Sequence, residues 1–210
     1  MNESELILAV QQGDQAAFEE LVHCYEKKVY SLCYRMLGND KDAEEAAQDT
    51  FLAVWRGVGE FRRESAFSTW LYRLASNACI DLLRRSKRTA MNGVSLDGDE
   101  AALSVRDNAA TPQEVVEQKE MRTLIEEGLA ALPEDYRRVL ILRELQQMSY
   151  AEIAQAAELE LGTVRSRISR ARQLLRNYLT AHGNFFEKAT SKRADATRTC
   201  GEDMAHDGLL

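Results

Sequence analysis

The residues from 163 to 172 combine cationic and hydroxyl side chains in a pattern that suits nucleic-acid binding. Five arginines fall between Gly162 and Tyr178, with no acidic residue among them. The outward side chains of such a helix can reach phosphates and base edges in a major groove about 12 Å wide. The alternative, a solvated amphipathic helix, predicts charges of both signs, because like charges repel at i, i+4 positions. We therefore expect this segment to bind DNA.

The residues before these arginines predict a helix-turn-helix. The sequence from Ser149 to Glu152 has the pattern of a capping box, which starts a helix. Residues 158–162 then form the predicted turn, and Ala154 is small where two crossing helices must approach closely. The predicted inward positions recur at helical spacing and are Ile153, Ala154, Ala157, Val164, Ile168, Ala171 and Leu175.

A second basic region, residues 62–88, is interleaved with aromatic side chains. Its seven Lys and Arg residues are accompanied by two acids. Sites for single-stranded nucleic acid use this mixture, because aromatic rings stack on bases and cations hold phosphates. A competing interpretation places Phe67, Trp70 and Leu74 on the inward stripe of their helix, and we favour it for Trp70 and Leu74. Asn77 and the arginines that follow it remain available to DNA.

The elements that position both basic regions are predicted to be helices. The chain has two prolines and is rich in Ala, Leu, Glu and Arg, a composition that favours an all-α fold. Apolar residues recur at helical spacing over residues 6–37, about 42–57 and about 68–85. A capping pattern with a proline at Thr111-Pro112 starts a further helix, and Leu132-Pro133-Glu134 ends one helix and starts the next.

The loss of periodicity over residues 89–111 predicts a flexible acidic linker. Gly, Ser, Asn and Asp are frequent there, and such a segment cannot bury enough apolar surface to fold alone. Residues 1–88 and 112–180 are therefore predicted to form two small helical domains, the second of which contains the helix-turn-helix. Residues 181–210 carry scattered charges without a period, so we expect a disordered tail.

Charge and cysteine content limit the class of protein. The chain is acidic overall, with 34 Asp and Glu against 27 Lys and Arg, but the bases are concentrated in the two patches. We see no run of about 20 apolar residues and no signal-like N-terminus, so we expect a cytoplasmic protein without membrane insertion. The widely spaced Cys24, Cys33, Cys79 and Cys200 predict reduced thiols, with no metal site and no other cofactor.

Four motifs together resemble the extracytoplasmic-function (ECF) group of sigma factors of bacterial RNA polymerase. They are residues 32–39 (LCYRMLGN), 42–51 (DAEEAAQDTF), 67–77 (FSTWLYRLASN) and 161–167 (LGTVRSR). The resemblance covers about residues 5–88 and 112–179. It implies a factor that binds core RNA polymerase, recognises minus-ten and minus-thirty-five promoter elements and helps to melt promoter DNA. It also implies that the factor initiates transcription of a stress or envelope regulon and has an anti-sigma factor as a partner.

The same resemblance implies three sets of site residues. The exposed side of the helix at 42–56 binds core polymerase through Asp42, Glu45, Gln48, Asp49 and Arg56. The minus-ten element is read by Phe61, Arg62, Arg63, Ser65, Phe67, Asn77, Arg84, Arg85 and Arg88, with a non-template base flipped out near Asn77. The minus-thirty-five element is read by Thr163, Arg165, Ser166, Ser169 and Arg170. We assign no DNA contact to Asp81, because its acidic side chain stands where related sequences often place a polar residue.

Three other classes of protein are alternatives that the sequence allows us to compare. A response regulator ends in a similar helix-turn-helix, but residues 1–88 lack the alternating strands and helices of a receiver domain. An enzyme is not indicated, because His23, His182 and His206 are isolated and no catalytic pair or phosphate-binding Gly loop occurs. We therefore predict no catalytic residues. A protein that sequesters a sigma factor would share the acidic helices but would lack two DNA-facing patches. For the tail, a thiol or metal sensor is an alternative to a simple extension.

Overall fold

The computed structural model of the protein describes residues 2–91 and 112–182. All regular elements in these two ranges are helical, which confirms the predicted all-α class. The helices are α1 (Glu3–Gln11), α2 (Gln15–Leu37), α3 (Asp40–Gly57), α4 (Phe67–Met91), α5 (Pro112–Ala130), α6 (Glu134–Glu144), α7 (Tyr150–Ala157) and α8 (Leu161–His182), with a 3₁₀ turn at Val58–Glu60 between α3 and α4.

The helix ends differ slightly from the predicted boundaries. Helix α4 continues to Met91, so the first residues of the predicted linker are helical, and residues 92–111 lie outside the described part of the chain. Helix α8 continues to His182, which is two residues into the predicted tail. The rest of that tail, residues 183–210 with Cys200 and His206, also lies outside the described residues.

Side-chain caps explain where several helices start. Asn2 and Ser149 each form a complete capping box, at the starts of α1 and α7. The Asp14 carboxylate accepts hydrogen bonds from two backbone N–H groups of α2, and Asn39 accepts one from Asp42 at the start of α3. Helix α2 ends at Gly38, whose φ of +82° is the left-handed conformation that glycine adopts without strain.

The first domain is built around α2, which contacts α1, α3, α4, α5 and α6. Its inward residues Val29, Leu32 and Cys33 have no exposed surface. Facing them are small buried residues of α3 and α4, among them Ala43 and Ala75, which let the helices approach closely. This packing fixes the outward face of α3 and the start of α4.

The second domain is centred on α6, where four consecutive apolar residues, Val139 to Leu142, are all buried. A helix that is apolar on more than one side must have neighbours on more than one side. Helix α8 lies on one side of α6, and α2 of the first domain lies against another. In α5, a Cβ atom on Gly128 would stand 2.7 Å from Leu175 and 3.0 Å from Tyr178 of α8, so glycine permits this close approach.

The predicted inward stripe of the helix-turn-helix is correct in α8 and partly wrong in α7. Val164, Ile168 and Ala171 of α8 are buried, whereas Leu175 is only partly covered. In α7, Ile153 is buried as predicted, and Ala154 is partly buried and packs against the core. Ala157 is half-exposed, and the second buried position is Ala156, which lines a cavity together with residues of α4.

The two domains pack against each other. Most of their buried residues form one apolar cluster that extends from α1 to α8, and a smaller cluster around Leu129, Leu140 and Ala171 lies within the second domain. Arg137 of α6 is buried and donates hydrogen bonds to the backbone oxygens of Met36 in α2 at 2.5 Å, Ala130 at 2.6 Å and Leu132 at 3.1 Å. Its guanidinium therefore joins the end of α2 to the turn between α5 and α6.

The described cysteines all lie in the first domain. Within residues 2–91 and 112–182, Cys24, Cys33 and Cys79 lie on α2 and α4 and form no disulfide. A hydrogen bond with the Cys33 thiol raises the pKa of Cys79, and burial raises it further.

The described helices include none that is long and apolar enough to cross a membrane.

The capping box at Ser149 should contribute measurably to stability. We expect Ser149→Ala to lower the free energy of unfolding by about 1 kcal/mol, because the Glu152 backbone N–H loses its acceptor. Urea denaturation followed by circular dichroism measures this change. Ser4→Ala, on the exposed surface of α1, is the control and should not destabilise the protein. Equal stability of Ser149→Ala and the parent protein would contradict the capping assignment.

Candidate nucleic-acid interface

The basic face of α8 is built as the sequence predicts. Arg165, Ser166, Ser169 and Arg170 are all exposed, and Thr163 is half-exposed at the start of the helix. The buried residues of α8 lie on the opposite side, against α5, α6 and α7. The five predicted minus-thirty-five residues therefore share one outward surface next to the turn between α7 and α8.

The arginines of α8 divide into two groups. Arg167 pairs with Asp135 at 3.1 Å and Arg172 pairs with Glu144 at 2.6 Å, so two acids of α6 neutralise two of the cations. Arg165 forms no ion pair with any residue in the described part of the chain. Arg170 donates only to the neutral Gln173 side chain, at 3.0 Å. Arg176 is also exposed and forms no ion pair within the described residues, so the unpaired arginines are Arg176 and two residues predicted to contact DNA, Arg165 and Arg170.

The turn of the helix-turn-helix is set by Glu158, which has a φ of +55° and ends α7 in the left-handed conformation. A non-glycine residue adopts this conformation at some cost, so the surrounding packing must hold it. Leu159 closes the turn by donating its backbone N–H to the Ala154 oxygen at 2.9 Å. After this turn, α8 packs its Val164 side against the domain and leaves Leu161, Arg165 and Ser166 exposed.

The predicted minus-ten loop, residues 61–67, joins the 3₁₀ turn to α4, and its last residue, Phe67, is the first residue of that helix. Gln11 of α1 holds its start, because the side-chain amide donates to the backbone oxygens of Val58 at 2.9 Å and Phe61 at 3.1 Å. Arg63 in this loop has a φ of +59°, and its guanidinium donates to the Ser4 oxygen at 3.3 Å. The sequence pattern did not indicate a role for Gln11. The one hint was that this polar residue follows the apolar stretch of α1.

The aromatic residues near this loop pack on one another. Phe61 lies 5.6 Å from Phe67 and 5.2 Å from Trp70, measured between ring centroids, and Tyr25 packs edge-on against Phe67. Both phenylalanines are buried. The Phe61 and Phe67 rings therefore pack on the inner side of the loop. This agrees with the interpretation that Phe67 and Trp70 lie on the inward stripe of their helix. Among the predicted minus-ten residues of the loop, Arg62 and Arg63 are exposed and Ser65 is half-exposed.

The remaining predicted minus-ten residues lie along α4. Arg84, Arg85 and Arg88 are exposed, and Arg84 lies 3.8 Å from Asp81, which is also exposed. Asn77 is exposed as well, but its side-chain oxygen accepts a hydrogen bond of 2.9 Å from the Arg138 guanidinium of α6. The loop and Asn77 therefore belong to one surface of the first domain, and the second domain contacts that surface.

The sequence analysis did not identify Arg138. Its guanidinium also donates to the Ala156 oxygen at 2.7 Å, and burial lowers its pKa from the ordinary arginine value. The Nε atoms of Arg137 and Arg138 are both buried without a hydrogen-bond partner within the described residues. The signal in the sequence was the apolar run that follows these arginines, since a helix with neighbours on several sides also covers its adjacent polar residues.

The predicted core-binding residues form one stripe on α3. Glu45, Gln48, Asp49 and Arg56 are exposed, while Asp42 is half-exposed in the first turn and its carboxylate accepts from the Asn39 amide at 3.0 Å. Leu52 and Trp55 are large apolar side chains that stay exposed on the same helix, at 50% and 37% of their full surface. Exposed apolar groups bordered by acids are typical of a protein-binding surface.

Metal-binding clusters and cavities are the other features that could indicate a site within the described residues. No cluster of His, Cys, Asp and Glu within residues 2–91 and 112–182 could hold a metal ion. The cavities found there lie between helices, and the one beside the predicted minus-ten loop, of about 200 Å³, is bounded by that loop, α4 and α7.

Comparisons with family models match both domains. Residues 21–89 match the model described as Sigma-70 region 2, and residues 122–175 match the model described as Sigma-70, region 4. The first match contains α3 and the predicted minus-ten surface, and the second contains the helix-turn-helix.

Curated relatives and solved structures agree with these matches. The chain is 36% identical over 176 residues to the ECF RNA polymerase sigma factor SigW of Bacillus subtilis, covering 82% of this chain and 94% of that protein. It is 35% identical over 181 residues to the ECF RNA polymerase sigma-E factor of Escherichia coli, covering 84% of this chain and 94% of that protein.

A solved structure of CnrH in complex with the cytosolic domain of CnrY is similar with a TM-score of 0.62 and 25% identity, covering 85% of this chain and 97% of that one. The sigma factor RpoE of Bartonella quintana, solved with the anti-sigma factor NepR, has the same fold, with a TM-score of 0.64 and 21% identity over 79% of this chain and 98% of that one.

The division of the α8 arginines predicts which substitutions affect DNA binding. Arg165→Ala and Arg170→Ala should each cost about 1–3 kcal/mol of binding to the preferred duplex and relax its sequence preference, if each arginine contacts a base edge. Fluorescence anisotropy with preferred and altered duplexes measures both effects.

The matched control for these variants is Arg172→Ala, which removes an arginine of α8 that pairs with Glu144. It should change DNA affinity less than either of the other two. Loss spread equally over all sequences in Arg165→Ala or Arg170→Ala, with a shallower salt dependence, would reassign that arginine to a phosphate contact.

Proposed function

Because this chain belongs to the ECF sigma factors of bacterial RNA polymerase, we propose that it directs core polymerase to promoters through three surfaces: the α3 stripe, the minus-ten surface and the basic face of α8. Proteins of this family are transcription initiation factors and not enzymes. The observation that carries the proposal is the separation of the two DNA surfaces onto two domains that the family models match. The polymerase supplies the catalysis.

The α3 stripe is the surface that we assign to core polymerase. Its support is its composition, because Glu45 and Asp49 border the exposed Leu52 and Trp55. Apolar side chains supply the area that drives association, while the carboxylates orient a basic partner. The buried residues of α3 lie on the other side of the helix, so this stripe is not needed for the fold.

The two DNA surfaces have different tasks in the proposal. The basic face of α8 presents Arg165 and Arg170 to the minus-thirty-five duplex, where bidentate contacts discriminate between bases. The minus-ten loop and α4 receive the non-template strand. Arg84, Arg85 and Arg88 hold phosphates, and Asn77 offers both a donor and an acceptor to a displaced base. Promoter recognition thus combines duplex reading upstream with single-strand capture downstream.

An anti-sigma factor is the further partner that we propose. Its support is that two structurally similar proteins, CnrH and the RpoE of Bartonella quintana, were solved in complexes, the second with a protein named as an anti-sigma factor. Action on core polymerase places the protein in the cytoplasm, and a stress or envelope regulon follows from the same family resemblance.

Charge reversal on α3 tests the assignment to core polymerase. The variant Glu45→Lys with Asp49→Lys should bind core polymerase at least about tenfold more weakly, because like charges facing each other at an interface are strongly unfavourable. It should keep its helical content, since both side chains are exposed. Pull-down and anisotropy assays with core enzyme measure the affinity.

The control is Glu120→Lys with Glu127→Lys, which changes the net charge equally on the exposed surface of α5. Core affinity that falls equally in both variants would show a general charge effect, and unchanged affinity in the α3 variant would remove the α3 stripe from the proposal.

Removal of the Asn77 side chain tests the melting role. Extraction of a base from the duplex costs a few kcal/mol, which contacts in the pocket must offset. Asn77→Ala should therefore lower transcription from duplex promoter DNA by about tenfold, and a template with a pre-opened bubble should restore much of the activity. Asn177→Ala, an exposed asparagine of α8, serves as the control. Equal defects on both templates would assign Asn77 to core binding or stability.

A further inference from the structure

An apolar groove lies between α5, α6 and α8 of the second domain. Its volume is about 530 Å³, within the range of about 300–1,000 Å³ that is typical of ligand pockets. Apolar side chains of all three helices line it, among them Ile125 of α5 and Leu179 of α8. Leu145, which also lines the groove, keeps 39% of its surface exposed directly after α6. The second domain therefore has an apolar surface that its described helices cover only in part.

The groove is also lined by cations. Arg35 of α2 lies beside it, as do Arg172 and Arg176 of α8, together with one acid, Glu144. Arg172 is paired with Glu144, whereas Arg35 and Arg176 form no ion pair with any residue in the ranges 2–91 and 112–182. An apolar groove with two unpaired cations suits an occupant that presents large apolar side chains beside a carboxylate.

The sequence that follows α8 supplies these groups. Phe185 and Phe186 are followed directly by Glu187, and no other Phe, Tyr or Trp occurs after His182. Aromatic side chains are the ones that bury the most apolar surface, about 150–250 Å² each. Two adjacent phenylalanines beside an acid therefore match both the lining and the charge of the groove.

The position of these residues along the chain places them within reach of the groove. Leu179 and Arg176 line it, and they precede the end of α8 at His182 by about 4.5 and 9 Å along the helix axis. Phe185 follows His182 by three residues, which span at most about 10–11 Å. Gly183 comes directly after the helix, where glycine commonly lets the chain turn back. A chain that turns back there can place both phenylalanines in the groove.

We propose that residues 185–187 occupy this groove in the same molecule, with the two phenylalanine rings on the apolar lining and Glu187 beside Arg176. The chain thus carries a ligand for its own second domain. This segment also links the end of α8 to α5 and α6, in addition to the contacts that α8 makes with its own side chains. Covering the groove within one molecule removes an apolar surface that would otherwise favour association with other proteins.

Photocrosslinking of the full-length chain tests the proposal directly. Phe186 is replaced by p-benzoylphenylalanine, the purified protein is irradiated, and the crosslinked peptides are identified by mass spectrometry. We expect products within one chain that join residue 186 to α5 or α6, at groove residues such as Ile125 and Leu145. The same photoreactive residue in place of Leu210 is the matched control and should not give these products.

Charge reversal tests the contact between Glu187 and Arg176. Arg176→Glu should lower the yield of the α5 and α6 products at least about twofold, because it sets two carboxylates against each other. Arg176→Glu combined with Glu187→Arg should restore the yield, since the attraction forms again with the charges exchanged. The recovery would exclude damage to α8 as the cause of the loss.

A dye that binds exposed apolar surface gives an independent measurement. The fluorescence of anilinonaphthalene sulfonate should rise several-fold in Phe185→Ser with Phe186→Ser, because the groove lining becomes accessible to the dye. Leu209→Ser with Leu210→Ser is the control, since it removes two apolar side chains from the same stretch of sequence. It should give the fluorescence of the parent protein.

Any of four results would overturn the proposal. Crosslinks that reach only α8, or only α1, α3 and α4, would place the phenylalanines elsewhere. A crosslinked product of the size of two chains would show that the groove takes this segment from a second copy. Equal crosslinking in the parent protein and Arg176→Glu would remove the charge complementarity that selects the segment. Equal dye fluorescence in the two serine variants would mean that the phenylalanines do not cover the groove.

Discussion

The arrangement of the two domains depends on a pair of adjacent arginines at the start of α6. Arg137 turns inward and ties the end of α2 to the backbone before α6, and Arg138 reaches the Asn77 side chain and the end of α7. A buried guanidinium is costly unless its donors are matched. Here backbone and amide oxygens accept from the terminal nitrogens of both arginines, while the Nε atoms are buried without a partner within the described residues. The requirement to satisfy these charges therefore fixes how α6 approaches the first domain and, through it, where α7 and α8 lie.

The same helix determines which arginines of α8 are ion-paired. Acids at the two ends of α6, Asp135 and Glu144, neutralise Arg167 and Arg172 and so orient α8 on the second domain. Arg165 and Arg170 face away from these acids and keep their positive potential. The arginines of α8 thus divide into those paired with α6 and those left exposed, although the sequence alone shows five arginines without an acid between them. Helix α6 consequently contacts both Asn77 and the paired side of α8.

Most of the fold could be predicted from local sequence signals. The capping box at Ser149, the turn at Leu132-Pro133 and the stripe containing Val164 and Ile168 act within a few residues, and the structure has them as expected. Contacts between domains could not be predicted, since nothing local to Asn77 shows that Arg138, distant in sequence, donates to it. For the same reason the burial of Ala156 in α7 could not be predicted, because α7 packs on α4, which the pattern of α7 does not contain. Exposure that depends on the pattern of one helix, as in α8, could therefore be predicted from the sequence, whereas the contact of a second domain with Asn77 could not.

We propose that this chain confers promoter selectivity on core RNA polymerase. The most direct measurement is transcription of a pool of bacterial genomic fragments by core RNA polymerase, with and without the purified full-length chain, followed by sequencing of transcript 5′ ends. The account predicts that the chain produces new transcripts from a limited set of start sites, which share one sequence element near minus ten and another near minus thirty-five. An unchanged transcript pattern, or new starts without shared upstream elements, would contradict it.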